Sequence, residues 1–78
     1  MNAAEARTLI VELLSNIAPE ADYDSLAGAV DLRETLDLDS MDFLNFVTAL
    51  HARTGKDIPE ADYSALFTLN QAVAYLTR

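Results

Sequence analysis

The chain has 78 residues, 51% of them hydrophobic, and no cysteine, so it has volume for one small core and neither a disulfide framework nor a thiolate metal site to support it. Thirteen acidic residues against five basic ones give a net charge of −8, which repels phosphate backbones and anionic lipid and argues against nucleic-acid binding and membrane insertion. The amino terminus has no basic start followed by an apolar run, and no apolar stretch approaches the ~18 residues of a spanning helix, so a soluble, cytoplasmic, monomeric protein is expected.

Asn2 and Glu5 have capping-box spacing, and Leu9, Ile10, Leu13, Leu14 and Ile17 behind them form one apolar stripe, which predicts a first helix near residues 3 to 17. Pro19 ends it. Residues 18 to 38 carry Pro19, Gly28 and several aspartates, interrupted by Tyr23, Leu26, Val30, Leu32 and Leu36; a structureless loop of this length is unusual, so it should pack down through those side chains and contain a short helical turn. A second helix starts after Asp39 or Ser40, either of which is able to cap it, and continues through Met41, Phe43, Leu44, Phe46, Val47 and Leu50 until Gly55. Ile58-Pro59 turns the chain, Glu60 to Leu66 suits a short third helix, and Thr68 with Gln71 forms another capping box before Val73, Tyr75 and Leu76. No segment alternates as a strand would, so the expected fold is all-α: one domain over residues 1–78, a four-helix bundle with a long loop between helices 1 and 2 and a short third helix.

The sole histidine, His51, has no cysteine to activate and no second histidine with which to share a metal, so no catalytic residue is assigned. The densest polar cluster is Asp37, Asp39, Ser40 and Asp42. It is not a calcium loop: counted from Asp37, the sixth and twelfth positions hold Asp42 and Thr48 where glycine and glutamate are needed, and no metal site is expected. Helix capping explains the cluster by itself, because acidic groups at a helix start satisfy free N–H groups and favour the macrodipole. The same geometry presents the Ser40 hydroxyl at a positive helix end that would stabilise a phosphate ester.

The segment Leu36-Asp37-Leu38-Asp39-Ser40-Met41-Asp42 resembles the Asp-Ser-Leu segment of acyl carrier proteins, with methionine in place of the leucine. The likeness extends to Ile58-Pro59, to Thr68 and to Ala72-Val73-Ala74-Tyr75-Leu76, which fall in the family's order over essentially the whole chain. It implies that Ser40 carries 4'-phosphopantetheine, taken from coenzyme A by a phosphopantetheinyl transferase, with Asp39 and Met41 beside the attachment point. It implies, too, that Asp39 and Asp42 flank the phosphodiester and dock partner enzymes with basic patches, namely acyl-loading, condensing or acyl-transfer enzymes. Met41 and Leu44, one turn apart and toward a different side from Phe46 and Leu50, are expected to form an exposed apolar docking strip for those partners beside Ser40. Phe43, Phe46, Val47, Leu50 and Ile58 are the candidates for core or for lining an acyl pocket. Such a chain is a substrate and carrier of acyl thioesters, not an enzyme.

One departure from the family pattern stands out. Where carriers of the fatty-acid synthase type have glutamates along the second helix, this chain has Asn45, Thr48, His51, Ala52 and Arg53, which points to a specialised fatty-acyl, polyketide-like or lipid pathway. The alternatives are a D-alanyl-like aminoacyl carrier, because Asp-Ser-Met also resembles that group's serine segment, and a non-carrier module that binds a basic partner through its acidic face.

Overall fold

In the computed structural model, which describes residues 1–78, the first expected helix is α1, Ala3–Ile17. Its capping box is complete: Asn2 Oδ1 accepts from the Glu5 N–H at 2.8 Å, and the Asn2 N–H donates to Glu5 Oε1 at 3.1 Å. Two backbone donors that the helix cannot satisfy are thereby paired. Ala6, Leu9, Ile10, Leu13 and Leu14 are the side it buries.

The long loop does pack down, and it contains two helical turns where one was expected. A 3-10 turn spans Tyr23–Ser25, and a single α-turn, α2, spans Leu32–Thr35. Asp22 and Asp31 cap them, accepting from the Ser25 and Arg33 N–H groups at 3.4 and 2.8 Å. The Tyr23 hydroxyl donates to the Ala18 carbonyl at 2.7 Å, and the tyrosine's partial burial pushes its phenol pKa up. The loop is also tied to the far end of the chain. The Leu32 N–H donates to the Phe67 carbonyl at 2.8 Å, and the Asn70 N–H to the Gly28 carbonyl at 3.0 Å. A Cβ on Gly28 would meet the end of the Asn70 side chain, which would have to turn aside.

The main helix of the candidate site is α3, Ser40–Thr54. Gly55 ends it at φ 70°, a left-handed conformation that costs glycine little, with its N–H on the His51 carbonyl at 2.8 Å. His51 itself is exposed, with Nδ1 2.9 Å from the Lys56 carbonyl oxygen. The short third helix of the sequence reading, Glu60–Leu66, is a 3-10 helix, and α4 follows at Leu69–Leu76. Thr68 caps α4 by accepting from the Gln71 N–H at 3.1 Å. The expected capping box is only half formed, because Gln71 Oε1 takes the Thr68 hydroxyl proton at 3.1 Å, not the Thr68 N–H.

Fifteen buried hydrophobic residues form one cluster at the meeting of α1, α3 and α4, sealed by Leu32 of α2 and Leu66 of the 3-10 helix. Phe46, Ile10, Leu14, Leu32, Leu50 and Leu66 are completely enclosed, each adding about 1.5–3 kcal/mol of apolar burial. The structure is all-α; its one β-type contact is an isolated bridge between Asp31 and Thr68. No helix is long and apolar enough to cross a membrane.

Candidate functional site

The polar cluster around Ser40 is aimed by the end of α2. There the Leu38 N–H donates to the Arg33 carbonyl at 2.8 Å and the Asp37 N–H to the Glu34 carbonyl at 3.4 Å, with Asp37 at φ 54°. This is a Schellman ending with aspartate in the left-handed place usually given to glycine. The chain then runs extended through Asp39, at φ −83° and ψ −178°, into α3.

Asp39, not Ser40, caps the helix. Its Oδ1 accepts from the Asp42 N–H at 2.8 Å, while the Asp39 N–H donates to Asp42 Oδ2 at 3.4 Å, completing a second capping box. Aspartate wins because its carboxylate reaches the N3 amide and also complements the positive helix end. Ser40 is therefore the first helical residue, exposed, with a hydroxyl that makes no hydrogen bond within the chain. The N–H groups of Ser40 and Met41 likewise find no acceptor in the chain, which leaves two backbone donors next to that hydroxyl.

Met41 and Leu44 stand out from the surface at 69% and 45% exposure, one turn apart. Asn45, Thr48, His51, Ala52 and Arg53 are all exposed, so the outer side of α3 carries no carboxylate beyond its first turn. Asp37, Asp39 and Asp42 do not converge with a further ligand into a group that could hold a metal ion.

Beside Ser40 lies an open cleft of about 830 Å³ between the end of α2, the start of α3 and the 3-10 helix. Its apolar walls are Leu38, Phe43, Leu44, Tyr63 and Phe67. Phe43 is the centre of an aromatic group, packing edge-to-face with Phe67 at 5.5 Å, Tyr63 at 6.0 Å and Phe46 at 6.3 Å between ring centroids. Arg33 closes one side. Its guanidinium lies 3.6 Å from the centre of the Phe67 ring, and its Nε and Nη2 donate to the two oxygens of Asp31 at 3.2 and 2.9 Å. That forked hydrogen bond holds the Asp31 carboxyl below the usual range and raises the already high pKa of Arg33.

Of the five residues considered for core or pocket lining, Phe43 is the one that borders this cleft. Phe46, Val47 and Leu50 are enclosed in the core, and Ile58 packs half-buried against it. Arg33, Tyr63 and Phe67 were not anticipated. Tyr63 and Phe67 stand four residues apart, a spacing that signals a shared helical side, whereas nothing in the local sequence places Arg33 on Phe67.

Residues 7–76 match the family model described as "Phosphopantetheine attachment site". The chain is 32% identical over 57 residues to an acyl carrier protein of Lactobacillus acidophilus, covering 73% of this chain and 71% of that protein. It is 34% identical over 55 residues to an acyl carrier protein of Lactobacillus johnsonii, covering 70% and 69% of the two.

Proposed function

This chain belongs to the acyl carrier protein family, and from that membership we propose that Ser40 is the residue to which its prosthetic group is joined. The group is 4'-phosphopantetheine, and the protein is a carrier, not an enzyme. When bound, the arm supplies the thiol on which an acyl group is held as a thioester, in a chain that has no cysteine of its own.

The observation that carries the assignment is the Ser40 hydroxyl: exposed, unbonded, and next to two free N–H donors at the start of α3. Those donors and the helix dipole suit a phosphodiester. Asp39 holds the helix start in shape, and Met41 keeps its backbone N–H turned to the same end. Asp39 and Asp42 offer charge, and Met41 and Leu44 offer apolar contact, to a phosphopantetheinyl transferase and to acyl-loading, condensing or acyl-transfer enzymes with basic docking patches. The outer side of α3, without carboxylates beyond its first turn, favours enzymes of a dedicated acyl pathway over those of general fatty-acid synthesis. We place the protein in the cytoplasm as a monomer, with residues 1–78 acting as one carrier unit.

The test is the intact mass after incubation with coenzyme A, magnesium and a broad-specificity transferase. A phosphopantetheine-sized gain that Ser40→Ala abolishes is expected; no gain with active transferase refutes the assignment.

A further inference from the structure

We propose that the cleft beside Ser40 selects the cargo of this carrier, favouring a flat, uncharged acyl group such as an aromatic or conjugated acid over carboxylate-bearing or simple linear ones. The proposal rests on Ser40 being the attachment point and goes beyond it to the class of acyl group.

Three features of the cleft converge. Three of its five apolar walls are rings: Phe43 meets Phe67 and Tyr63 edge-to-face at 5.5 and 6.0 Å, an arrangement that continues naturally onto another flat group. Its rim is acidic, with the carboxylates of Glu34, Asp37, Asp39 and Glu60 against the single guanidinium of Arg33. That guanidinium is already forked onto Asp31, so a cargo carboxylate entering here meets net repulsion without a free cation to receive it.

Length is limited by what lies behind the walls. Phe46, Leu50 and Leu66 are fully enclosed in the core, so a long linear chain would have to part them. A planar group needs no such opening and is able to lie within the existing cleft against Phe43 and Tyr63.

The experiment loads the full chain from benzoyl-, hexanoyl- and succinyl-coenzyme A with the broad-specificity transferase, which joins the acylated phosphopantetheine to Ser40 and releases adenosine 3',5'-bisphosphate. Cleavage of each thioester by hydroxylamine is timed against the same acyl-pantetheine free in solution, and amide NMR shifts are followed at Phe43, Tyr63 and Phe67. The benzoyl thioester should be cleaved about fivefold more slowly on the protein than free, the size of one aromatic pair. Shifts should concentrate on those three residues, the hexanoyl group should be shielded less, and the succinyl group should react at its free rate. Tyr63→Leu, which keeps bulk, and Phe67→Ala should each remove the benzoyl shielding. Equal shielding of succinyl, equal or stronger shielding of hexanoyl, or no shielding of benzoyl overturns the proposal. A failure of Ser40 to gain any mass would refute the attachment assignment instead, so the two failures are distinguishable.

Discussion

Helices α1 and α3 begin with the same local device and open onto different surroundings. Each has a capping box with a 2.8 Å bond from the N3 amide to the cap side chain, closed by a return bond of 3.1 Å at Asn2 and 3.4 Å at Asp39. After the cap, α1 has Ala3 and α3 has Ser40. The hollow near the start of α1, about 480 Å³, is bordered by Ala4, Thr8, Glu12 and Arg53 and has no aromatic wall. Beside Ser40 the end of α2 and the 3-10 helix add Arg33, Tyr63 and Phe67. A capped helix start is thus a common stability device, and its neighbours are what make one of the two a candidate site.

The largest effect should come from exchanging the residues after the caps. Ser40→Ala combined with Ala3→Ser should give no phosphopantetheine mass gain, because the serine then stands after a neutral cap and away from the aromatic cleft. A gain in that double variant would show that a capped serine suffices and would dissolve the contrast. Ser40→Ala alone should leave the unfolding free energy within about 0.5 kcal/mol, since its hydroxyl bonds nothing, as a urea titration would show.

Next in size are the caps themselves. Asn2→Ala and Asp39→Ala should each cost about 1 kcal/mol in urea unfolding. Asp39→Asn separates the two roles of that residue: stability should stay within a few tenths of a kcal/mol while the transferase rate falls and becomes less salt-dependent. An unchanged rate and salt dependence would remove Asp39 from partner binding.

Smaller still, Asp37→Gly should stabilise the protein by about 0.5–1 kcal/mol, because φ 54° strains any residue with a Cβ. If it destabilises, the aspartate side chain contributes more to the α2 ending than its backbone strain removes.

The smallest effect concerns the Arg33–Asp31 fork. The Asp31 pKa is lowered in the fold from its ordinary 3.8, so the fork's contribution is present above that value and is lost as pH falls through the lower folded pKa. Thermal unfolding followed from pH 5 down to about pH 2 should therefore show a slightly shallower loss of stability in Arg33→Met than in the parent. Parallel losses would mean that the fork adds nothing to stability.

Much of this is written locally. The apolar stripe of α1, the stop at Gly55 and the caps at Asn2 and Thr68 rest on contacts within four residues, so periodicity and capping chemistry locate them. The serine motif is equally local, and through its resemblance it carried the family assignment that residues 7–76 support. Other features were beyond such reasoning. Whether Asp39 or Ser40 caps α3 depends on the direction in which the chain leaves α2, and Asp37 in a left-handed conformation sets that direction. The cleft is farther out of reach, because Arg33 meets Phe67 across 34 positions and Phe43 meets Tyr63 across 20. Such pairs leave no mark at helical spacing. The sequence by itself determined the three main helices and the serine motif near the start of α3, since short-range hydrogen bonds and the burial of one helix side decide those. The tertiary structure alone decided which rings and charges surround that serine, because long-range packing brings them together only once the core has closed.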